Sequence, residues 1–457
     1  MSVTPGASGG SLPPEFIELL RSLFGPEADQ AIEAFQESGF DAQGLLDAAG
    51  LTGDPGALRA IAAQVARLAR SAKSGQVVDW DLAHDAARQA SLAKGPDPAI
   101  AASERATVVE SFTLVGLWLD QVTELGGLSG PVDALSAAGW IDATEPRWKE
   151  LTMPLAISMR RAMETLAEQH AAEHPGVGEM TTNAFNALGG MSSGLFGMQL
   201  GQALGLLSRE VFGYTDTGLP LGERGAQALL PTAVKTFAAD TALPLDEVQL
   251  FLAAREAAHV RLFTHVPWLA DRLLGAVESY AAGIAIDLGA LESAIRDIDP
   301  PTPENIRQAM SSGVFAPALT EPQKAALDRL ETALALVEGW VSVVTQHALE
   351  RNLPDVASLS EMMRRRRASG GPAEHALATL VGLELRPRRA RQAGVLWETV
   401  TAELGPLERD QLWSHPDLLP TSQDLDTPEA FLLNRAERAQ ADAAIDAEIA
   451  AFFNDNE

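Results

Sequence analysis

The feature that most constrains this chain is a helical period held almost without interruption from about residue 75 to about residue 400. Apolar residues recur at spacings of three and four, alanine is abundant, and the alternation that marks a strand is nearly absent. Such segments must bury their apolar stripes against one another, so the expected fold is mostly α. The 457 residues, 46% of them hydrophobic, suffice for two or three folding units.

The punctuation suggests how they are arranged. Residues 1–14 are rich in Gly, Ser and Pro and read as a disordered tail. Residues 15–75 carry short amphipathic segments between Gly and Pro and read as a small N-terminal helical subdomain ending near Gly75. Residues 76–400 form the main helical domain. Residues 401–457 read as an irregular stretch, punctuated by Pro and Asp, that wraps the body before a terminal acidic helix.

A net charge of −28 argues against nucleic acid and anionic membrane surfaces as partners. Without cysteine, disulfides, iron–sulfur clusters and thiolate zinc sites are excluded, so any metal must use His, Asp or Glu. No basic segment leads into an apolar run near the N-terminus, and no apolar run reaches the ~18 residues of a membrane span. The expectation is a cytoplasmic protein. Gly194, Gly197, Gly201 and Gly205 sit at helical spacing in GLFGMQLGQALGLLS; with Gln199 and Gln202 among them, they predict a buried helix whose backbone closely approaches a neighbour.

Two helices carry polar residues where apolar ones belong. The first, within FLAAREAAHVRLFTHVPWL (Phe251–Leu269), is predicted to begin near Asp246 and to end before Pro267. Val248, Leu252, Arg255, His259 and Leu262 share one stripe, with Glu256 about 100° round from Arg255. The second opens on a capping box at Thr320–Gln323 and runs through Leu327, Leu330, Leu334, Val337, Val341 and Val344, with Glu338 inside that stripe. Buried polar groups need partners, so these residues should meet something.

REAAH differs by one letter from the zinc motif H-E-x-x-H, in which two histidines one turn apart bind the metal and the glutamate activates its water. Here Glu256 holds the base position, His259 the second ligand position, and Glu338 is a candidate third ligand. His265, six residues beyond His259, is another candidate, although Leu262 replaces the glycine that would permit the turn. Arg255 occupies the first ligand position and cannot ligate, because a guanidinium has no free lone pair. The same residues also make a metal-free arrangement, an Arg255–Glu338 ion pair with His259 alongside, and chemistry ranks this above the zinc site.

REAAHVRLFTHVPWL, LVEGWVSVV, SSGLFGMQLGQALGLLSREVFGYTDTGLPL, LVGLELRPRRARQAGVLWETV and LWSHPDLLPTSQDLD together resemble the actinobacterial zincin-like family, over roughly residues 75–425. Its members carry the designation zinc-dependent metalloprotease or hydrolase. The resemblance implies a zincin-like helical fold, Glu256 as catalytic base, His259 and Glu338 as zinc ligands, and a peptide or protein as substrate. The departure at Arg255 removes a required ligand. It leaves two readings: a peptidase-type metallohydrolase, or a non-catalytic protein- or peptide-binding scaffold that keeps the fold.

Two other features carry less. HAAEH at His170–His174 spells the inverted zinc motif, but a solvated last helical turn before Pro175 and Gly176 accounts for it. The arginines at 364–367, 386, 388, 389 and 391 lack interleaved aromatics, which points to intramolecular pairing or an acidic partner. No G-x-S-x-G elbow, P-loop or dinucleotide fingerprint is present.

Overall fold

Helix start signals in the sequence fix the elements around the site. Pro244 caps a 21-residue helix, Leu245–His265, and Pro267 opens the next one after a single residue, Val266. At Thr320 the capping box forms as expected: the Gln323 N–H donates to the threonine hydroxyl, and the Gln323 side chain accepts from the Thr320 N–H at 3.0 Å. The computed structural model describes residues 76–173, 178–283, 319–370 and 389–437. The expectations for residues 1–14 and 15–75, for the acidic segment after 440, for Arg386 and Arg388, and for the side chains of His170 and His174 lie outside the described residues.

The described elements are α1 (Trp80–Ala93), α2 (Ala102–Leu119), β1 (Val132–Ala134), α3 (Ala137–Glu173), α4 (Gly178–Leu207), β2 (Gln227–Leu229), α5 (Pro231–Thr241), α6 (Leu245–His265), α7 (Pro267–Ala281), α8 (Glu321–Leu349), α9 (Val356–Ser369) and α10 (Ala390–Gln411). The fold is mostly α. The two strands pair in parallel, with Asp133 opposite Ala228. Two compact units divide the chain: Met1–Leu82 with Ala167–Gly197, and Ala83–Leu166 with Met198–Glu457. Everything that follows lies in the second. Among the described residues no helix is long and apolar enough to cross a membrane.

At the centre of this unit stands α6, packed against α2, α5, α7, α8 and β2. Every residue from Phe251 to Phe263 is buried, so this stretch of the helix has no solvent face. Ala253, Ala254, Ala257 and Ala258 allow this, because a methyl side chain lets neighbouring backbone approach on faces that an amphipathic helix leaves to water. The glycines of α4 work in the same way: Gly201 and Gly205 abut the Ala83 and Ala87 carbonyls of α1, with no room for a Cβ. Helix α8 lies between α6, α7 and α10. Near its C-terminal end α10 kinks at Gly405 (φ 83°), just before Pro406.

Candidate functional site

Arg255 and Glu338 meet between α6 and α8. The guanidinium Nη2 lies 2.5 Å from Glu338 Oε1, and the two residues are only 6% and 5% exposed. A second cation arrives from α9, where Arg367 Nη2 stands 3.5 Å from Glu338 Oε2 and 3.4 Å from Asp216 Oδ1. Arg366 also reaches Asp216, at 3.4 Å, and lies over the Phe212 ring. The result is a network of three arginines and two carboxylates, buried at Arg255 and Glu338 and half-buried at Arg366, Arg367 and Asp216, that joins α6, α8, α9 and the loop after α4. Burial alone would raise the Glu338 carboxyl, but Arg255 and Arg367 hold it well below the usual carboxylate range.

His259 sits one turn beyond Arg255. Its Nδ1 lies 2.9 Å from the Arg255 carbonyl, which fixes the proton there. Burial pushes the imidazole pKa down, against the pull of Glu338, so the neutral ring presents an Nε2 lone pair. That atom faces Glu338 Oε2 at 3.6 Å, just beyond hydrogen-bond reach. Neither atom has a hydrogen-bond partner among the described residues.

Glu256 points elsewhere. Its Oε1 accepts from the Tyr214 N–H at 2.9 Å and, more weakly, from the Ala228 N–H at 3.4 Å. Its Oε2 accepts from the Thr215 N–H at 3.1 Å and the Thr215 hydroxyl at 2.5 Å. All four carboxylate lone-pair positions are thereby taken by the loop after α4 and by β2. Burial pushes the carboxyl up to about 7 despite these donors, which favour the charged form. Gly213 permits the approach, since a Cβ there would lie 2.6 Å from both Glu256 Oε2 and the Ala228 carbonyl. The space left between Arg255, Glu256, His259 and Asp216 is about 10 Å³, enough for roughly one water.

His265, the remaining candidate ligand, is exposed at the end of α6, with Nε2 3.1 Å from the Gly126 carbonyl. The structure thus brings Arg255, His259 and Glu338 together, holds Glu256 beside them facing other partners, and gives His265 a partner of its own. A catalytic zinc takes three protein donors and a water. Here the donors of suitable chemistry are His259 Nε2 and Glu338, and two guanidiniums already lie within 3.5 Å of that carboxylate. Among the described residues no group of three or more His, Asp or Glu is placed to hold a metal. The donor set does not fit zinc.

Sequence reasoning missed Arg367 and Asp216 as partners and Thr215 as the clamp on Glu256. Arg367 was visible in the run Arg364–Arg367, and Tyr214–Asp216 in the phrase GYTDTGLPL, but nothing in either names its partner. Of the arginine cluster, Arg364 and Arg365 pair with Glu361, Arg366 and Arg367 with Asp216, and Arg389 with Asp426. These arginines pair within the molecule.

Comparison with known proteins agrees with the architecture. The sequence model of the zincin-like metallopeptidase family matches residues 78–432, well over half of the chain. A crystal structure from Chloroflexus aurantiacus, of a protein provisionally described as a hydrolase with a novel fold, superposes with a TM-score of 0.55 at 19% identity. The alignment covers 79% of this chain and 99% of that one, and at this identity it shows a shared fold alone. No curated protein matches the chain.

Proposed function

The chain belongs to the zincin-like metallopeptidase family, and from that membership we propose that it is a metal-free member, a peptide- or protein-binding module whose motif helix is held by an ion pair in place of zinc. One observation carries this reading: the guanidinium of Arg255, at the first ligand position, lies 2.5 Å from the acid that would be the third ligand. A fixed positive charge stands where the family chemistry asks for a cation. The hydrogen bonds on Glu256 support the same reading. Four donors from the loop after α4 and from β2 set the orientation of that carboxylate, with no metal-bound water needed to hold it.

The test is elemental analysis of the purified chain after incubation with zinc and desalting. Substoichiometric zinc is expected, and one zinc per chain would overturn the proposal. The hydrolytic reading has one observation in its favour: His259 Nε2 and Glu338 Oε2 face each other with no hydrogen-bond partner among the described residues. It predicts bound zinc and loss of hydrolysis, with metal retained, in Glu256→Gln. Our reading predicts that Glu256→Gln alters stability alone.

A further inference from the structure

Tyr214 and Thr215, whose amides hold Glu256, also line a cavity of about 290 Å³ that the ion-pair network does not use. Its apolar wall comes from Val260 and Phe263 on the second half of α6 and from Ala270 and Leu274 on α7. Its exposed edge carries Glu223 and Asp271, and neither carboxylate has an ion-pair partner among the described residues. The two arginines of the lining are tethered within the chain, Arg224 with its charge unpaired among the described residues. Arg147 pairs with Glu150 at 2.5 Å, and Arg224 donates to the Thr264 carbonyl at 2.7 Å.

We propose that this cavity binds a short peptide in which an apolar side chain adjoins a positive charge. The apolar wall takes the side chain, and burial of a leucine-sized group there is favourable. Glu223 and Asp271 take the ammonium, a charge-assisted contact that the chain's net charge of −28 reinforces at longer range. A terminal amine and a lysine side chain present the same ammonium, so either source fits. This assignment rests on the binding-module reading above and gives it a location and a ligand class.

The probe is leucyl-lysinamide, titrated into the full chain by calorimetry. Saturable binding is expected. N-acetyl-leucyl-norleucinamide, which carries no charge, should bind about tenfold more weakly or worse. N-acetyl-leucyl-lysinamide and leucyl-norleucinamide each keep one ammonium and identify which source the site reads. Glu223→Gln combined with Asp271→Asn should weaken the charged probe about tenfold without moving the unfolding midpoint, because both side chains are exposed. Ala270→Trp, which fills the cavity from α7, should remove binding while the chain stays folded. Failure of the charged probe to saturate, equal binding of the neutral one, or undiminished binding by Ala270→Trp overturns the proposal. A chain that takes no zinc yet ignores the peptide refutes the cavity assignment alone. A chain that binds both leaves the cavity standing and refutes the metal-free reading.

Discussion

Arg255, Glu338 and Arg367 form a buried set in which each charge depends on the others. Removing one partner leaves its counterpart buried and uncompensated, so Arg255→Met or Glu338→Leu alone should cost about 3–5 kcal/mol in denaturant unfolding. The double variant should lose less than either single one, because Arg367 keeps Asp216. Glu256 adds a pH signature of the opposite sign to Glu338. Its folded pKa, about 7, exceeds its unfolded value near 4.5, so its contribution is fully present below about 4.5 and is lost as pH rises to 7. Unfolding of the native chain and of Glu256→Gln, measured across pH 4.5 to 7, should diverge, the native chain losing stability relative to the variant as pH rises. Glu338 contributes fully above its unfolded value near 4.5 and loses that contribution progressively as pH falls below it toward the folded value. Arg255, His259 and Glu338 were legible in the sequence because each interrupts an apolar stripe. The clamp on Glu256 was not, since three of its four donors are backbone N–H groups that any residue type supplies.

At the scale of elements, α6 explains why the motif is rigid. The three-four spacing announced the helix and its bounds, and Pro244 and Pro267 announced its ends. Burial on every face was not readable, because four alanines look the same against solvent as against a packed neighbour. The loop after α4 is seated on this helix through Gly213. Gly213→Ala places a methyl against Glu256 and the Ala228 carbonyl and should cost about 1–3 kcal/mol, read as a lower unfolding midpoint. The two short strands also escaped the sequence reading. Each is three residues long, too short for an alternating pattern to register.

At the scale of the whole molecule, the stretch around LWSHPDLLP is anchored through Asp410. This buried carboxylate accepts from the Trp340 indole at 2.9 Å, the Thr123 hydroxyl at 2.7 Å and the Glu124 N–H at 2.8 Å, and pairs with Arg409 at 2.8 Å. It joins segments nearly three hundred positions apart in sequence, so Asp410→Ala strands the fully buried Arg409 and should cost about 3–5 kcal/mol, measured by denaturant unfolding. Sequence reading gave this stretch an irregular character and no anchor, because a long-range partner leaves no local pattern. The ion pair at Arg255 has its own consequence for the living cell. A charge built into the polypeptide is present from synthesis, cannot be stripped by a chelator and cannot be mis-filled with copper or nickel. Such a chain would mature without a metal-delivery step and would keep its unfolding midpoint in EDTA, through famine and surfeit of zinc alike.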